Sequence, residues 1–441
     1  MSEGLEELLI VAWDPQAKGK IAKLRLDMLA AARSASEDDA QNRTVVEVLH
    51  GIRQRGDEAV AAYTEKFDRV SLRPDEFRVE PGELARAHAS MDAELLATLR
   101  EAIENVRAYQ AKVFLGHNSS FSDGTGIRYT PIHRAGVCVP GASAPLPSTV
   151  IMTVVPAQVA GVREIAVVSP PRFEGSIHPV ILAVCHELGV GEVYRIGGVQ
   201  AVGALAYGTQ SVRRVDMIVG PGNSWVQAAK KHVAGDYVAI DSIAGPSEVF
   251  IIAGEEADPA WVAADMLSQA EHAADSSAIV ATDSEPLARA ILSQLAAQLA
   301  ELPRADDARA SLKRFSRVIV VESLDAAVEL ADEFASEHLE IQCGSRSRQI
   351  ADRINNAGAI FVGPHTPVAV GDYWAGPSHT LPTGTRAKFS SALTSNDFLK
   401  SISLIEYSPE QLAACADDII RLAQVEGLDA HARSVAIRTH K

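Results

Sequence analysis

The spacing of hydrophobic residues changes near residue 133 and divides the chain into regions with different predicted structure. Up to about residue 115, apolar positions recur every three or four residues among many charges, as in TVVEVLHGIRQRGDEAVAAYTEKFD, which is typical of amphipathic helices. From His133 onward, short apolar runs end in glycine or proline and are followed by helical stretches. Strands that alternate with helices predict a parallel, doubly wound sheet.

Nine apolar runs predict the strands. The first five are AGVCVPG, EIAVVSPP, EVYRIGG, VDMIVGPG and EVFIIAG, and the rhythm resumes with SAIVATDS, SRVIVVES, EHLEIQC and GAIFVGP. Two α/β lobes are therefore favoured over one. After Phe398 the pattern becomes helical again, and Gly427 separates two predicted helices. We predict an α/β fold with an N-terminal helical arm and a C-terminal helical tail.

Composition and charge exclude several classes of protein. The 441 residues include 41 Lys and Arg against 57 Asp and Glu, and the formal net charge of −16 argues against a nucleic-acid-binding protein. A hydrophobic content of 47% excludes a mainly disordered chain. No apolar run approaches the roughly 20 residues of a membrane-spanning helix, so no membrane association is expected. The acidic N-terminus does not resemble a signal peptide, which predicts a cytoplasmic protein.

Glycine-rich loops follow several of the predicted strands. They are Gly197-Gly198, Gly220-Pro221-Gly222-Asn223 and Ala244-Gly245-Pro246-Ser247. Ligands of open α/β sheets bind at the carboxyl ends of the strands, and glycine lets backbone amides approach a phosphate. Each loop also fits a simple tight turn. No G-x-G-x-x-G or P-loop lysine motif follows these strands, so a nucleotide is expected to bind in a non-standard way.

Histidine and acidic residues concentrate in four segments, two of which lie on predicted helix or strand ends. In DMLSQAEH, Gln269 and His272 stand three apart on one helix face. Spacing and ligand chemistry alone favour Glu271 as the companion of His272, because carboxylate is the better zinc ligand. In ASEHLEI, Glu337 and His338 are an attractive general-base pair if a loop or helix end carries them. A solvated helix face and a chance pair are the alternatives.

The other two segments are less regular. One of them contains His365, Asp372 and His379 among glycines and prolines, in GPHTPVAVGDYWAGPSHTLPTG. This composition suggests either a rigid loop that lines a ligand-binding site or a plain turn. VEGLDAHARS contains Glu426, Asp429 and His431 near the C-terminus, where a solvated helix end is the simplest interpretation. A metal site built from these segments requires distant parts of the chain to converge.

Seven segments in order resemble the signature segments of the histidinol dehydrogenase family. They are GPGNSWVQAAKK, DSIAGPSEV, DMLSQAEH, SEHLEI, GDYWAGPSHTLPTG, FSSALTSNDF and EGLDAHA. The resemblance implies a zinc-dependent, NAD-linked homodimer that binds no nucleic acid. It also implies oxidation of L-histidinol to L-histidine in two hydride transfers through a bound L-histidinal, at the end of histidine biosynthesis.

The resemblance also implies roles for individual residues. The zinc ligands are Gln269, His272, Asp372 and His431, which overrules the preference for Glu271. The catalytic pair is Glu337 and His338. The substrate contacts the zinc ligands and His338, and also Ser247, His379 and Glu426. NAD contacts Gln200 and Asn223. In the family the C-terminal segment completes the neighbouring subunit's site, so Glu426 and His431 are expected from the partner chain.

The implied domains are Rossmann-like lobes with two appendages. Residues 1–25 form the arm, 26–134 with 240–390 the large α/β domain, 135–239 the second α/β domain on the NAD side, and 391–441 the tail.

Two departures from the family pattern leave the substrate open. Cys138 stands where family members commonly have a tyrosine near NAD, and Arg386 and Lys388 make the loop after His379 more basic. That charge either faces solvent or pairs with an anionic substrate. The alternatives are therefore a related zinc and NAD dehydrogenase acting on another small diol or amino alcohol, such as a sulfonated propanediol, a non-catalytic binding module, and a zinc hydrolase. His379 and Glu426 favour histidinol.

Overall fold

Two parallel sheets organise the molecule, as predicted for an α/β fold. The computed structural model describes residues 5–32, 40–120, 123–141, 145–302 and 305–439. The strands are β1 (Leu9–Val11), β2 (Ser119–Ser120), β3 (Thr125–Pro131), β4 (Arg134–Cys138), β5 (Glu164–Val168), β6 (Glu192–Tyr194), β7 (Met217–Val219), β8 (Ala239–Ile240), β9 (Glu248–Ala253), β10 (Ser277–Thr282), β11 (Arg317–Val320), β12 (His338–Gln342), β13 (Ala359–Val362) and β14 (Leu399–Ile405).

Helices separate most of these strands along the chain. They are α1 (Ala17–Ala32), α2 (Ala40–Arg55), α3 (Asp57–Asp68), α4 (Pro81–Ala89), α5 (Ala93–Val113), α6 (Pro147–Ala160), α7 (Pro179–Glu187), α8 (Gly198–Tyr207), α9 (Ser224–Val233), α10 (Pro259–Ala270), α11 (Glu285–Leu299), α12 (Ala305–Phe315), α13 (Leu324–Phe334), α14 (Ser347–Ala351), α15 (Val368–Tyr373), α16 (Pro409–Val425) and α17 (Asp429–Thr439). Among the described residues, no helix is both long and apolar enough to cross a bilayer.

The first unit is a six-stranded parallel sheet in the order β1-β11-β10-β9-β12-β13. Its central strand β9 is buried throughout, because helices cover both faces. Val249 and Ile251 pack with α10, α11 and α12 on one side, and Phe250 and Ile252 pack with α1 and α13 on the other. The alternation of side chains along a strand thus supplies two cores from one apolar run.

The second unit is a five-stranded parallel sheet in the order β6-β5-β4-β7-β8. Helices α4, α5, α6 and α7 cover one face and α2, α3, α8 and α9 cover the other. The helices of residues 40–113 therefore pack on this unit. The domain limits implied by the family resemblance instead place residues 26–134 with the six-stranded unit. The exact domain limits stay a prediction.

Two strands lie in segments for which the sequence indicated only helices. β1 lies within the predicted arm and pairs with β11 at the edge of the six-stranded sheet. β14 lies within the predicted helical tail and pairs antiparallel with β3 over seven residue pairs, in a third sheet with β2. The tail therefore contains a strand ahead of its two helices, at a place where the sequence pattern indicated only helices. β14 is mostly exposed, so it lacks the apolar alternation that identifies a strand packed on a core.

The two C-terminal helices α16 and α17 pack on each other around the Gly427 break, as predicted. Neither makes comparable contact with another described element. They leave large apolar side chains in solvent, including Val425 at 82% and Ile437 at 79% exposure. Such an exposed apolar surface is unusual for a free chain and is typical of a surface that another chain covers.

Candidate functional site

A cleft of about 490 Å³ lies where loops of the five-stranded unit face the end of α10. Its wall includes residues 138–141 after β4, 197–198 after β6 and 221–223 after β7. Glu271 and His272 line it from the six-stranded unit. A smaller cavity of about 240 Å³ shares residues 221–223 with the cleft. Both lie beside loops that follow the carboxyl ends of strands, where the sequence predicted a ligand.

His338 is the first residue of β12 and is only 4% exposed. Its Nδ1 lies 3.0 Å from the carbonyl oxygen of Glu248. A carbonyl only accepts, so Nδ1 carries the ring proton and Nε2 is the unprotonated acceptor. Nε2 is buried 3.8 Å from Asp372 Oδ1 and has no hydrogen-bond partner in the described part of the chain. Burial lowers the pKa of His338 to about 3, so the ring is neutral at pH 7.

Glu337 lies immediately before β12 and is not part of the strand. The rule that successive side chains of a strand point to opposite faces therefore does not separate Glu337 from His338. Its Oε2 accepts a hydrogen bond of 3.0 Å from the Glu248 backbone N–H and lies 3.6 Å from His338 Nδ1. The Ser247 side chain lies close enough to this carboxyl to lower its pKa slightly. Burial, reinforced by the nearby carboxyls of Glu248 and Asp372, raises the pKa of Glu337 well above its usual range.

Gln269, at the end of α10, is 1% exposed, and neither its amide oxygen nor its amide nitrogen has a hydrogen-bond partner within the described residues. Burying an amide without partners costs about 1–3 kcal/mol, so this side chain requires a ligand. Nδ1 of His272 lies 2.9 Å from the Ser268 carbonyl oxygen, which leaves Nε2 as the ligating atom. Burial raises the pKa of the Asp372 carboxyl on α15 to about 6, and His272 lies close enough to Asp372 to lower that pKa in part.

This donor set fits a zinc ion. Zinc binds amide and carboxylate oxygen and imidazole nitrogen, and it takes four ligands in most protein sites. One chain does not complete the set: in the described ranges no three His, Cys, Asp or Glu side chains converge as a metal site. His431 lies exposed on α17, and Glu426 lies exposed between α16 and α17. The structure therefore does not bring His431 together with His272 and Asp372 in one chain.

The predicted substrate contacts Ser247 and His379 both line the smaller cavity, together with Glu337. Burial lowers the pKa of His379 to about 4, and its ring hydrogen-bonds to the Asp372 backbone. The basic residues of the following loop do not line this cavity. Arg386 donates to the Thr383 carbonyl oxygen at 3.1 Å, and Lys388 is exposed.

Of the two predicted NAD contacts, Gln200 is almost fully buried. Its Nε2 donates to Asp68 Oδ2 at 3.0 Å, and its Oε1 has no partner among the described residues. Asn223 caps α9 by accepting from the Val226 N–H and lines the cleft, the smaller cavity and a third pocket that Gln200 also lines. Cys138 lines the cleft where the family tyrosine is missing, and burial raises the pKa of its thiol to about 12.

A buried ion pair that the sequence analysis did not predict supports these loops. Lys230 on α9 pairs with Asp241 and donates to the Gly220 carbonyl oxygen at 3.0 Å. Asp241 in turn accepts from the N–H groups of Gly220 and Ser242, each at 2.7 Å. The pair thus connects the loop that carries Asn223 to the segment that leads to Ser247. The signal that could have revealed it is Lys230 itself, a lysine among the apolar positions of an amphipathic helix.

Comparison with known proteins gives a consistent match over most of the chain. A family model described as Histidinol dehydrogenase matches residues 31–439. A histidinol dehydrogenase of Geobacillus kaustophilus is 44% identical over 428 residues, which cover 96% of this chain and 99% of the relative. One of Rhodopirellula baltica is 47% identical over 400 residues, covering 90% and 86%. The crystal structure of histidinol dehydrogenase from Elizabethkingia anophelis superimposes with a TM-score of 0.89 at 34% identity, covering 98% of this chain and 97% of that one.

Proposed function

This chain belongs to the histidinol dehydrogenase family, and we propose that the cleft between its two units oxidises L-histidinol to L-histidine through the residues described above. It is an NAD- and zinc-dependent dehydrogenase of histidine biosynthesis. One observation supports this role of the site. Nε2 of His338 is unprotonated and buried, and it has no hydrogen-bond partner among the described residues. A neutral imidazole in that position is ready to accept a proton.

Zinc, when bound, lowers the pKa of the substrate hydroxyl and NAD accepts hydride. We assign Gln269, His272 and Asp372 to the metal in one chain. His338 Nε2 accepts the hydroxyl proton while the carbon loses hydride, which gives the aldehyde L-histidinal. The Glu248 carbonyl holds Nδ1–H throughout, so the ring does not turn away from the substrate.

The second oxidation requires water. The aldehyde adds water to form its hydrate, and Glu337 is placed to accept the proton that this water loses. Because that proton is on Glu337, the hydrate is an anion, and loss of hydride from it to a second NAD gives the carboxylic acid. Cationic groups bound in the cleft favour the ionised form of Glu337 and so lower the pKa of its carboxyl, whereas burial raises that pKa.

Substrate and NAD contacts follow from the lining of the cavities. We assign Ser247 and His379 to the substrate because both line the cavity that contains Glu337. Gln200 and Asn223 are assigned to NAD because they line the adjoining pocket, and Oε1 of Gln200 has no hydrogen-bond partner within the part of the chain that the structure describes. Neither Arg386 nor Lys388 is among the residues that line the cavity containing Glu337, which supports L-histidinol over an anionic diol.

We expect the purified protein to form two NADH for each L-histidinol, and to lose this activity after treatment with a chelator. NADH absorbance, with L-histidinol and a sulfonated propanediol in parallel and total zinc determined, measures both effects. Activity that returns on adding zinc is the control for chelator damage. NADH formation from the diol but not from L-histidinol contradicts the substrate assignment.

We further propose a cytoplasmic homodimer in which α16 and α17 of one chain complete the site of the other. Two observations support it: the donor set of one chain is incomplete within the described residues, and the tail exposes an apolar surface. Covering such a surface with a second copy removes it from water. His431 then supplies the fourth zinc ligand, and Glu426 pairs with the substrate amino group.

Mixing two inactive variants tests the shared site. A dimer of one His338→Ala chain and one His431→Ala chain contains one doubly altered site and one intact site. Unfolding and refolding an equal mixture produces about half mixed dimers, so about a quarter of the wild-type activity is expected. Each variant refolded alone is the control. Absence of rescue, when mixed dimers are detected by a tag on one chain, contradicts the sharing of sites.

A further inference from the structure

Three polar side chains near the assigned metal ligands, two of them buried and one half-buried, have no role in the mechanism above. They are Asp265 on α10 and Glu340 and Gln342 on β12. Glu340 is 1% exposed and Gln342 is 4% exposed. Two carboxyl groups in a protein interior are costly unless they are hydrogen-bonded, so their presence requires an explanation.

These side chains form a continuous hydrogen-bonded group, which we call the carboxyl bridge. Gln342 Nε2 donates to Asp265 Oδ2 at 2.7 Å and to Glu340 Oε2 at 3.2 Å. The carboxyls of Asp265 and Glu340 also hydrogen-bond to each other. Such a bond requires one proton between the two carboxyls, and their burial and mutual repulsion raise the pKa of Glu340.

The bridge connects the two helices that carry the assigned metal ligands. Asp265 lies four residues before Gln269, so both face the same side of α10. Glu340 Oε1 accepts a 3.0 Å hydrogen bond from the backbone N–H of Val368, the first residue of α15. Val368 lies four residues before Asp372 on that short helix. The bridge therefore attaches to α10 and to α15 one helical turn away from a ligand on each.

The bridge also shares its strand with the proposed proton acceptor. His338, Glu340 and Gln342 alternate along β12 and so face the same side of the sheet. One set of hydrogen bonds thus determines the separation of α10, α15 and β12 beside the cleft. Metal ligands held by such outer contacts bind more tightly, because the protein does not have to reorganise when the ion binds.

We propose that Asp265, Glu340 and Gln342 are positioning residues that fix the distance between Gln269 and Asp372, and thereby hold the zinc site in its binding geometry. The proposal rests on the proposed assignment of Gln269 and Asp372 as zinc ligands. The bridge itself touches neither the ion nor the substrate.

Zinc affinity, measured by competition between the holoenzyme and a chromogenic chelator, tests the proposal. Glu340→Leu removes the acceptor for Val368 and the partner of Asp265, and we expect it to weaken zinc binding by about 10–100-fold. Glu340→Gln keeps an acceptor oxygen for Val368, a donor for Asp265 and the net charge of the pair. It is therefore expected to remain within about threefold of wild type.

A matched control separates positioning from stability. Glu192 is a mostly buried carboxylate that pairs with Arg134 in the five-stranded unit, away from the metal ligands. Glu192→Leu is expected to lower the melting temperature and leave zinc affinity unchanged. If Glu340→Leu weakens zinc binding no more than Glu192→Leu at a comparable melting temperature, the proposal is overturned.

Two further variants complete the design. Gln342→Leu interrupts the bridge without removing a carboxyl, and a several-fold weaker zinc affinity is expected from it should Glu340→Leu fail to fold. Unchanged affinity in Gln342→Leu counts against the bridge. Asp372→Ala tests the underlying assignment: if it does not weaken zinc binding, the ligand assignment fails. If Asp372→Ala weakens binding and both bridge variants do not, only the bridge fails.

Discussion

Replacing His338 with asparagine is expected to lower kcat for L-histidinol by about 10²–10⁴-fold, the usual contribution of a positioned general base. Asparagine is shorter and provides no basic nitrogen at the position of Nε2, which is buried 3.8 Å from Asp372 Oδ1. Zinc content and the KM for NAD are expected to stay near the wild-type values, because His338 is assigned to neither. Steady-state kinetics on the zinc-loaded variant measure these quantities.

The pH profile of the same variant gives an independent measurement. The pKa of His338 is lowered to about 3, so the wild-type base is already deprotonated throughout the neutral range and its titration is not expected to limit kcat there. In His338→Asn the proton must pass to solvent, so kcat is expected to rise with pH. Glu337→Gln serves as the comparison, since it is expected to retain the first oxidation and lose the second. A kcat within tenfold of wild type in His338→Asn rules out its role as the base.

Replacing Lys230 with methionine is expected to reduce the free energy of unfolding by about 3–5 kcal/mol, because it leaves a buried charge without its partner. Asp241 is 3% exposed, and its remaining partners are two backbone N–H groups. The loop that carries Asn223 loses one of its supports, so a higher KM for NAD is expected as well. Urea unfolding followed by the fluorescence of Trp225 on α9 measures the change in stability.

Two controls test whether the loss of stability comes from the buried ion pair. The double variant Lys230→Met with Asp241→Asn removes both charges, so its destabilisation is expected to be smaller than the sum of the single effects. Arg289→Met removes an exposed ion pair with Glu285 on α11 and is expected to change stability by about 0.5 kcal/mol or less. Additive effects in the double variant contradict the interpretation as a buried ion pair.

The nine predicted strands of the two parallel sheets are all present. The inner strands are mostly buried on both faces, so their sequences are continuous apolar runs, whereas the edge strand β13 is partly exposed. β14 was missed for the opposite reason: it is exposed and its partner β3 lies far away along the chain. The N-terminal helices were predicted as helices, but sequence periodicity does not tell which sheet their apolar faces cover.

In the candidate site, too, some features could be predicted from local sequence and others could not. Residue types and family segments identified Gln269, His272, Glu337, His338 and Asp372, and the structure places Glu337 and His338 beside Asp372. The preference for Glu271 over Gln269 came from ligand chemistry alone. That preference did not take burial into account, because burial cannot be read from ligand chemistry. The amide of Gln269 is buried and has no partner among the described residues, whereas Glu271 is exposed. The carboxyl bridge depends on contacts between α10, β12 and α15, which are distant along the chain, so no local pattern indicates it. The pair of Lys230 with Asp241 was missed although Lys230 stands among the apolar positions of its helix.

Glu248 has a consequence for how the protein tolerates mutation. Its backbone N–H and carbonyl hold Glu337 and His338, the two residues that are assigned to move protons. Because main-chain groups are present in every residue, exchange of the Glu248 side chain does not delete these two hydrogen bonds. Proline is the exception, since it lacks the N–H. The two hydrogen bonds that orient the proton acceptors are thus independent of which side chain stands at residue 248, whereas the buried Glu248 carboxyl contributes separately by raising the pKa of Glu337.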